Sequence, residues 1–499
     1  GPPNQLGYVR TFGLFDAEVV VLFWNSADAH DVPGVEGRNL RDQPDPVAVA
    51  GVGTALGDRL QERGFNAFAK GRAALGCREI RASESSAMTP DRRFFTLGAL
   101  ALLAGCGAAP PVARPDPALE PGLRPQPNPA YDAWVAAFRD RAQSRGITRA
   151  TLDMAFRGQG FLPGVIERDR NQTEFNRTLE DYIAIVAPEE KIAFGRPLLA
   201  RHRRTLQAVE SRYGVPPEIL ASIWGVESYF GTKRGKIPVI SATSTLAWEG
   251  RRGRFFEANL MDALRIVQTG DARPAQLVGS WAGAMGHTQL IPNAYQTHAV
   301  DFNGDGKRDI WTDDPTDAFA TTANFLRKAG WRQGQGWALE VVLPEGFSAG
   351  LTGRARKRAT SDWRGMGVRP ASGGRLPDFG SAAILAPMGV GKPAFMTWRN
   401  FDMILRYNPS ENYGLAVSYL AGRLAGDGPL RGDFGPDANG LTLADRKALQ
   451  QGLTRAGFDA GKADGVVGKK TEAAISAYQR ASGLAVTGSP SRDLLDRLN

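Results

Sequence analysis

The feature that most constrains the fold is a series of amphipathic helical patterns, separated by Gly and Pro, between residues 131 and about 425. Apolar side chains that recur every three or four residues form one helical face, which must be buried against other elements. The alternating segment 337–347 predicts a strand within a small β element near 337–387. We therefore predict a mainly α domain with a minor sheet. The predicted helices cover residues 131–145, 165–186, 198–213, 257–268, 317–329 and 411–424.

The composition excludes several classes of protein. The chain has 499 residues, which suits two or three domains, and it is 42% hydrophobic, which is enough to form buried cores. Its 2 Cys cannot form a disulfide framework or a four-Cys zinc site, and its 4 His are scattered, with no H-E-x-x-H pair. The net charge of +9 is mild for this length. An anionic cell envelope is therefore a better candidate partner than nucleic acid, which we do not expect.

A segment that begins at Met88 resembles an export signal. Two arginines precede the apolar stretch 94–104, which is too short to span a membrane but has the length of a signal-peptide core. The stretch runs into Leu-Ala-Gly-Cys at 103–106, which resembles a lipoprotein box. We expect residues 88–105 to be a signal peptide and Cys106 to carry lipid. The alternative is a short buried helix that ends at a free Cys.

The residues on either side of this segment extend the hypothesis. Residues 1–87 contain no Met, so we expect translation to begin at Met88 and these residues to be absent from the mature protein. A genuine N-terminal extension is the alternative. Residues 106–130 hold eight prolines and predict a stiff, extended linker. Gly107, rather than Asp, follows the lipidated Cys, which favours the outer membrane of a Gram-negative bacterium.

One predicted helix carries a carboxylate on its apolar face. After a Pro-Pro pair that suits a helix start, Leu220, Ile223, Trp224 and Glu227 fall at i, i+3, i+4 and i+7. Partial burial disfavours the charged form of a carboxyl group, so the pKa of Glu227 should be raised. A carboxylic acid that is still protonated near neutral pH can act as a general acid. The alternative is a buried Glu that pairs with a nearby Arg or with the backbone.

Four segments, taken together, carry a specific resemblance. They are IWGVESYFG at 223–231, SWAGAMGHTQLIP at 280–292, DFNGDGKRDIW at 301–311 and RYNPSENY at 406–413. In this order they resemble the membrane-bound lytic murein transglycosylase B family, and weaker similarity reaches back to about residue 131.

The resemblance implies a lysozyme-like catalytic domain, over 131–430, that cleaves the glycan strands of peptidoglycan. Such enzymes break the β-1,4 bond between N-acetylmuramic acid and N-acetylglucosamine and leave a 1,6-anhydromuramyl end. The family's one essential carboxylate matches Glu227, which would act first as acid and then as base, without a cofactor. Two alternatives stay open, namely an inactive peptidoglycan-binding scaffold and a water-using muramidase on the same fold.

The resemblance also implies the residues that bind the glycan. Ser280 and Gln289 match cleft positions, whereas Arg251 and Arg252 match a cationic pair near the peptide-bearing sugar. The remaining matches are the aromatic and amide residues of the cleft wall, Tyr182, Tyr407, Asn408 and Tyr413. The alternatives are that Tyr413 belongs to the core and that the arginines form a solvated surface.

The segment 301–317 resembles a calcium-binding loop. Oxygen ligands at positions 1, 3 and 5 with Gly at position 6 fit the first half of an EF-hand, but position 12 is Thr312 rather than Glu. We expect a structural Ca²⁺, with no part in the chemistry. An Asp/Asn/Gly turn without metal is the alternative, and Asp309, Asp313 and Asp314 compete as closing ligands. The ligands expected from the pattern are Asp301, Asn303, Asp305 and Lys307 through its carbonyl, and the resemblance to the family implies Asp317 as the closing ligand.

A small module follows the Gly/Asp/Pro-rich stretch 426–440. Helices are predicted over 442–455 and 469–482, and the segment 441–499 resembles the three-helix peptidoglycan-binding domain found beside many cell-wall hydrolases. Such a module would hold the enzyme on the insoluble wall, and a generic helical tail is the alternative. We expect a monomeric periplasmic lipoprotein whose partners are peptidoglycan strands and, through the lipid, a membrane.

Overall fold

The computed structural model describes residues 119–171 and 177–499. The predicted N-terminal extension, the signal peptide, the lipidation site Cys106 and the first part of the linker lie outside these ranges. None of the helices within them combines the length and the apolar character that crossing a membrane requires.

The prediction of a mainly α fold with a minor sheet is confirmed, since helices make up most of the regular structure of the described residues. The helices are α1 (Pro129–Ser144), α2 (Arg149–Ala155), α3 (Pro163–Arg170), α4 (Leu179–Val186), α5 (Glu189–Arg201), α6 (Arg203–Tyr213), α7 (Pro217–Ser228), α8 (Val239–Glu249), α9 (Gly253–Thr269), α10 (Pro292–His298), α11 (Thr316–Ala329), α12 (Thr360–Gly365), α13 (Arg399–Tyr407), α14 (Glu411–Ala425), α15 (Leu443–Arg455), α16 (Lys469–Ala481) and α17 (Arg492–Leu498).

Two of the predicted helices were wrong, because each is divided in two. The pattern over 165–186 covers both α3 and α4, and Thr178 caps α4 with a hydroxyl that accepts the N–H of Asp181. The pattern over 198–213 crosses His202, at which α5 ends and α6 begins. Apolar periodicity continues across such a junction, whereas a capping side chain or a change of backbone direction ends the helix.

The helix α7 is the centre of the domain. It begins at Pro217 and ends where Tyr229 adopts a left-handed conformation, with φ 49°. Every residue from Ile219 to Ser228 is buried, because α14, α5, α6 and α11 pack around the helix. The sequence predicted one apolar face, but a helix buried on all sides places Glu227 in the interior whichever face it occupies.

The small predicted β element is a five-stranded antiparallel sheet that extends beyond 387, to Thr397. Its strand order is β4-β6-β7-β3-β5, and Trp363 and Trp398 lie in the apolar core beside it. A separate antiparallel pair is formed by β1, which follows α7 in sequence, and β2. The strands are β1 (Ile237–Pro238), β2 (Val278–Gly279), β3 (Ala338–Val342), β4 (Arg358–Ala359), β5 (Arg369–Pro370), β6 (Ser381–Leu385) and β7 (Ala394–Thr397).

The C-terminal module consists of α15, α16 and α17 around a small core of its own that includes Leu449, Leu453 and Ile475. Its buried Arg446 reaches outside the module, where its guanidinium donates to Glu180 at 2.7 Å and to Asp181 at 3.0 Å. Both acidic residues lie in the first turn of α4. The module is thereby attached to the helix that also carries Tyr182.

Candidate active site

The carboxyl group of Glu227 lies in the last turn of α7, and the residue is only 6% exposed. Its Oε1 accepts a hydrogen bond of 2.7 Å from the hydroxyl of Tyr413, a buried residue of α14. The partner is thus a neutral hydroxyl, rather than the Arg or the backbone group that the alternative interpretation of the sequence required. The structure places Tyr413 both in the core and against Glu227, so the two interpretations of this tyrosine coincide.

Burial raises the pKa of Glu227 to about 8. The hydrogen bond from Tyr413 and the positive charge of Lys191 act in the opposite direction, because both favour the ionised form. The direction agrees with the prediction from the sequence. At neutral pH most Glu227 side chains are therefore protonated, which is the state that a general acid requires.

Tyr182 and Tyr407 complete an aromatic enclosure for this carboxyl group. Tyr182 is buried and Tyr407 is partly buried, and both lie close enough to Glu227 for its charge to raise their pKa values further, in addition to the larger effect of burial. Tyr407 donates from its hydroxyl to the carbonyl of Thr288 at 2.5 Å. The three predicted tyrosines therefore stay neutral, so Glu227 is the acid among these four side chains that titrates near neutral pH.

Ser280, Gln289 and Asn408 hold the backbone next to this enclosure. The Ser280 hydroxyl accepts N–H groups of its own loop at 3.2 and 3.3 Å. Asn408 follows α13, and its Oδ1 accepts the N–H of Ser410 at 3.1 Å. Gln289 has φ 53° and donates to the Gly286 and Arg234 carbonyls, whereas its buried Oε1 has no hydrogen-bond partner among the described residues. None of the three makes a hydrogen bond to Glu227 within the described ranges.

His287 holds α7 through side-chain and backbone hydrogen bonds, a contact that was not predicted from the sequence. Trp224 of α7 donates from its indole to Nδ1 of His287 at 3.0 Å, so the other ring nitrogen carries the proton and faces the Thr312 carbonyl at 2.6 Å. Ser228 donates to the backbone carbonyl of His287 at 2.5 Å. Burial lowers the pKa of His287 to about 4, which keeps the ring neutral. The one sequence feature that could have indicated this residue is its position within the segment 280–292, which carries the family resemblance.

Arg251 and Arg252 both pair with the buried Asp169 of α3, although the Arg251 side chain also remains exposed to solvent. The Nε of Arg251 lies 2.8 Å from Oδ2, and Nη2 of Arg252 lies 2.5 Å from Oδ1. The Arg251 side chain is 44% exposed and the Asp169 side chain 2%. The sequence analysis missed Asp169, because the acid lies 82 residues before Arg251.

The 301–317 loop is closed by carboxylates that accept backbone N–H groups. Asp301 accepts from Gly304 at 2.7 Å and from Gly306 at 2.9 Å. Asp317, almost fully buried at the start of α11, accepts from Phe302 at 2.8 Å and through its second oxygen from Asp309 at 2.9 Å. No group of three or more His, Cys, Asp or Glu side chains is arranged to hold a metal ion within residues 119–171 and 177–499. The donors have the hard oxygen chemistry that suits Ca²⁺, but here they bind the loop itself.

Comparison with known proteins adds two domain matches. The family model for the transglycosylase SLT domain matches residues 130–422, and that for a peptidoglycan binding domain matches residues 442–498. Membrane-bound lytic murein transglycosylase B of Escherichia coli (strain K12) is 36% identical over 216 residues. The matched part spans 43% of this chain and 58% of the length of that relative.

Solved structures give similarity over larger parts of the chain. SltB3 from Pseudomonas aeruginosa, in complex with NAG-NAM-pentapeptide, is 42% identical with a TM-score of 0.60, and the match covers 74% of this chain and 100% of that one. The Escherichia coli lytic transglycosylase Slt35, in complex with calcium, is 29% identical with a TM-score of 0.51, over 60% of this chain and 93% of that one. These similarities support the lysozyme-like architecture expected from the sequence.

Proposed function

The chain belongs to the transglycosylase SLT domain family, as the resemblance in its sequence predicted, and from this premise we propose that it is a peptidoglycan lytic transglycosylase. It cleaves the β-1,4 bond between N-acetylmuramic acid and N-acetylglucosamine and leaves a 1,6-anhydromuramyl end. The observation that carries the proposal is the single carboxyl group of Glu227, which is buried, protonated at neutral pH and held by Tyr413 at 2.7 Å.

In the first step Glu227 donates its proton to the glycosidic oxygen that leaves. Positive charge then develops at C1 of the muramyl sugar, and the N-acetyl carbonyl of the substrate stabilises it, as in glycosidases that use substrate assistance instead of a second carboxylate. The pKa of about 8 supports this step, because an ordinary Glu would already be ionised.

In the second step the ionised Glu227 takes the proton of the C6 hydroxyl, whose oxygen attacks C1 and closes the anhydro ring. The new carboxylate lies in a buried enclosure, so groups that favour its charge matter here. Tyr413 supplies a hydrogen bond and Lys191 a positive charge. The closeness of the pKa to neutral pH lets one residue act as acid and then as base.

The remaining cleft residues bind and orient the glycan. Tyr182 and Tyr407 form walls beside Glu227, and the buried Oε1 of Gln289, which accepts no hydrogen bond from the described residues, is the acceptor assigned to a sugar hydroxyl or amide. Ser280 and Asn408 fix the loop and the helix end that shape the cleft. Arg251 and Arg252, oriented by Asp169, attract the carboxylates of the muramyl peptide, and the exposed part of Arg251 is available for that contact.

The domain organisation follows the same proposal. Residues 131–430 form the catalytic domain, and 441–499 bind peptidoglycan and raise the local concentration of substrate. Residues 88–105 are an export signal, 106–130 a linker, and Cys106 a lipid anchor at the outer membrane. The protein is a monomeric periplasmic enzyme of the cell wall. This placement rests on the lipoprotein-like sequence and on the relative named as membrane-bound.

Calcium would stabilise the fold and take no part in the reaction. Asp301, Asn303 and Asp305 with the Lys307 carbonyl would supply oxygen ligands, and Asp317 would close the site from α11. The support is the donor chemistry of this loop and the calcium complex of Slt35.

The product of peptidoglycan digestion tests the function directly. The wild-type protein should release 1,6-anhydromuramyl products, identified by mass spectrometry, and Glu227→Gln should lower the rate roughly a thousandfold or more, because both proton transfers are lost. Glu218→Gln, an equal change in the first turn of the same helix, should leave the rate intact. Hydrated reducing ends would indicate a muramidase, and no product from the wild-type protein would indicate a binding scaffold.

A further inference from the structure

Lys191 of α5 is a buried cation that the proposed mechanism uses only through its charge. The residue is 5% exposed, as deeply buried as Glu227 at 6%. Its ammonium lies 5.0 Å from the centre of the Tyr229 ring. Within the described ranges no carboxylate, carbonyl or hydroxyl accepts a hydrogen bond from it. Three N–H donors are therefore left without an acceptor among the described residues, and Nζ is not one of the fully buried atoms that lack a hydrogen-bond partner, so it reaches the accessible surface.

The charges around Lys191 do not compensate for its burial. Glu190 and Glu227 favour the charged form, whereas the ammonium groups of Lys233 and Lys462 oppose it. Burial is the largest effect and lowers the pKa of Lys191 to about 7. Because burial of the side chain disfavours the charged form and no described group accepts its N–H groups, the ammonium is available to a ligand that supplies an acceptor.

The ring that faces Lys191 is held in place by strained backbone. Tyr229 and Phe230 are consecutive residues other than Gly with positive φ, 49° and 54°. The Phe230 ring fills niches at Gly195 and Gly225, where an added Cβ would overlap it. This packing fixes the left-handed turn. Strain of this kind persists where the surrounding structure determines it, commonly at binding sites.

We propose that Lys191 and Tyr229 form a subsite for a carboxylate or carbonyl oxygen on the lactyl-peptide arm of the muramyl sugar. The ammonium donates to that oxygen, and the Tyr229 ring, with the 41% exposed Phe194 at 5.5 Å, offers an apolar face to the arm or the sugar. Chitin oligomers lack this arm, so the subsite would select muramyl glycans. The inference rests on the proposed function and adds a residue that determines specificity.

Binding measured in the Glu227→Gln background tests the subsite without turnover. The ligands are a muramyl tetrasaccharide with its stem peptides, the same glycan without peptides, and chitotetraose. Lys191→Met should weaken binding of the muramyl ligands about tenfold, as loss of a charge-assisted hydrogen bond does, and leave chitotetraose unchanged. Lys191→Arg should retain most of the affinity. Lys236→Met, which removes one exposed lysine from the same region, should bind like the parent.

Proton uptake gives a readout that a merely structural role would not change. Because the free ammonium is partly deprotonated near pH 7.5, binding of a carboxylate should draw a proton onto Lys191, and calorimetry in buffers of different ionisation enthalpy measures it. The Met and Arg variants should show no uptake at this position. If Lys191→Met loses affinity only for the peptide-free glycan, the group that Lys191 binds is the lactyl carboxylate. If it loses affinity for both muramyl ligands, the group belongs to the part of the arm that the two ligands share.

Three results would overturn the subsite. They are unchanged muramyl affinity in Lys191→Met, an equal loss for chitotetraose, and affinity that falls without any change in proton uptake. Failure of the proposed function would look different, because the wild-type protein itself would then release no anhydro product.

Discussion

Two buried carboxylates of the catalytic domain, Glu227 and Asp169, have opposite surroundings. Asp169 is 2% exposed and lies between the guanidinium groups of Arg251 and Arg252. Glu227 is 6% exposed and has a tyrosine hydroxyl as its hydrogen-bond partner. Similar burial therefore gives different chemistry. Two cations balance the charge of Asp169, whereas a neutral partner leaves Glu227 free to hold a proton near neutral pH and to release it.

The largest expected effect is on the pH dependence of stability at Glu227. Its pKa is about 8 in the folded protein, against an ordinary 4.5, so the folded state holds a proton that the unfolded state releases between these values. The free energy of unfolding should therefore fall as pH rises from 4.5 through 8, by on the order of 4 kcal/mol from this group. Glu227→Gln should lack this fall, as urea unfolding at pH 5, 7 and 9 can measure. Parallel curves for variant and wild type would contradict the raised pKa.

Removal of the other carboxylate should act on stability without a direct effect on the chemistry. Asp169→Asn leaves two guanidinium groups beside a neutral amide and should lower the free energy of unfolding by about 2 kcal/mol, less than for a fully buried pair because Arg251 is 44% exposed. Asp153→Asn is the control, since Asp153 pairs with Arg139 at the surface. If denaturant unfolding gives the two variants equal stability, the ion pairs of Asp169 contribute no more to stability than that of a surface acid, and the prediction is wrong.

A smaller effect should follow from changing the partner of Glu227. Tyr413→Phe removes the hydrogen bond that favours the ionised carboxylate, so the pKa of Glu227 should rise further and the base step should need a higher pH. We expect about a tenfold loss of rate at pH 7 and a shift of the pH optimum to more alkaline values. Tyr419→Phe, also on α14, should leave the pH–rate profile unchanged. A proportional loss at every pH would argue that Tyr413 only packs.

The smallest effect concerns calcium binding by the 301–317 loop. This loop contains a third buried carboxylate, Asp317, which accepts backbone N–H groups instead of pairing with cations or a hydroxyl. If Ca²⁺ binds the 301–317 loop, a chelator should lower the melting temperature by about 2 °C or more, through loss of a ligand that binds the folded state. Asp301→Asn should make the melting temperature insensitive to chelator. An unchanged melting temperature for the wild-type protein would mean that the amide contacts alone close the loop.

The local sequence predicted those features that depend on a single secondary-structure element. Helical periodicity predicted α1, α9, α11 and α14 to within a few residues, and it placed Glu227 on an apolar surface. It failed at Thr178 and His202, because a cap or a change of direction can interrupt an apolar pattern without altering it. The family was predictable because its four segments keep their residue types and order.

The contacts that give these residues their properties come from distant parts of the chain. Tyr413 lies 186 residues from Glu227, and the buried Asp169 lies 83 residues from Arg252. Neither pairing has a local pattern, so sequence reasoning named Glu227 and both arginines but not the acid between them. The same reason hid Lys191 and His287, whose surroundings are assembled by helices and loops that are far apart in sequence.

The sequence by itself therefore determined the helical class, the family and the identity of the candidate acid, because periodicity and residue type are local properties. Only the tertiary structure decided which carboxylate is neutral, which is paired and which cation lacks an acceptor among the described residues. The physical reason is that desolvation and hydrogen bonding depend on everything that surrounds a group, and in a buried site most of the surroundings come from elsewhere in the chain.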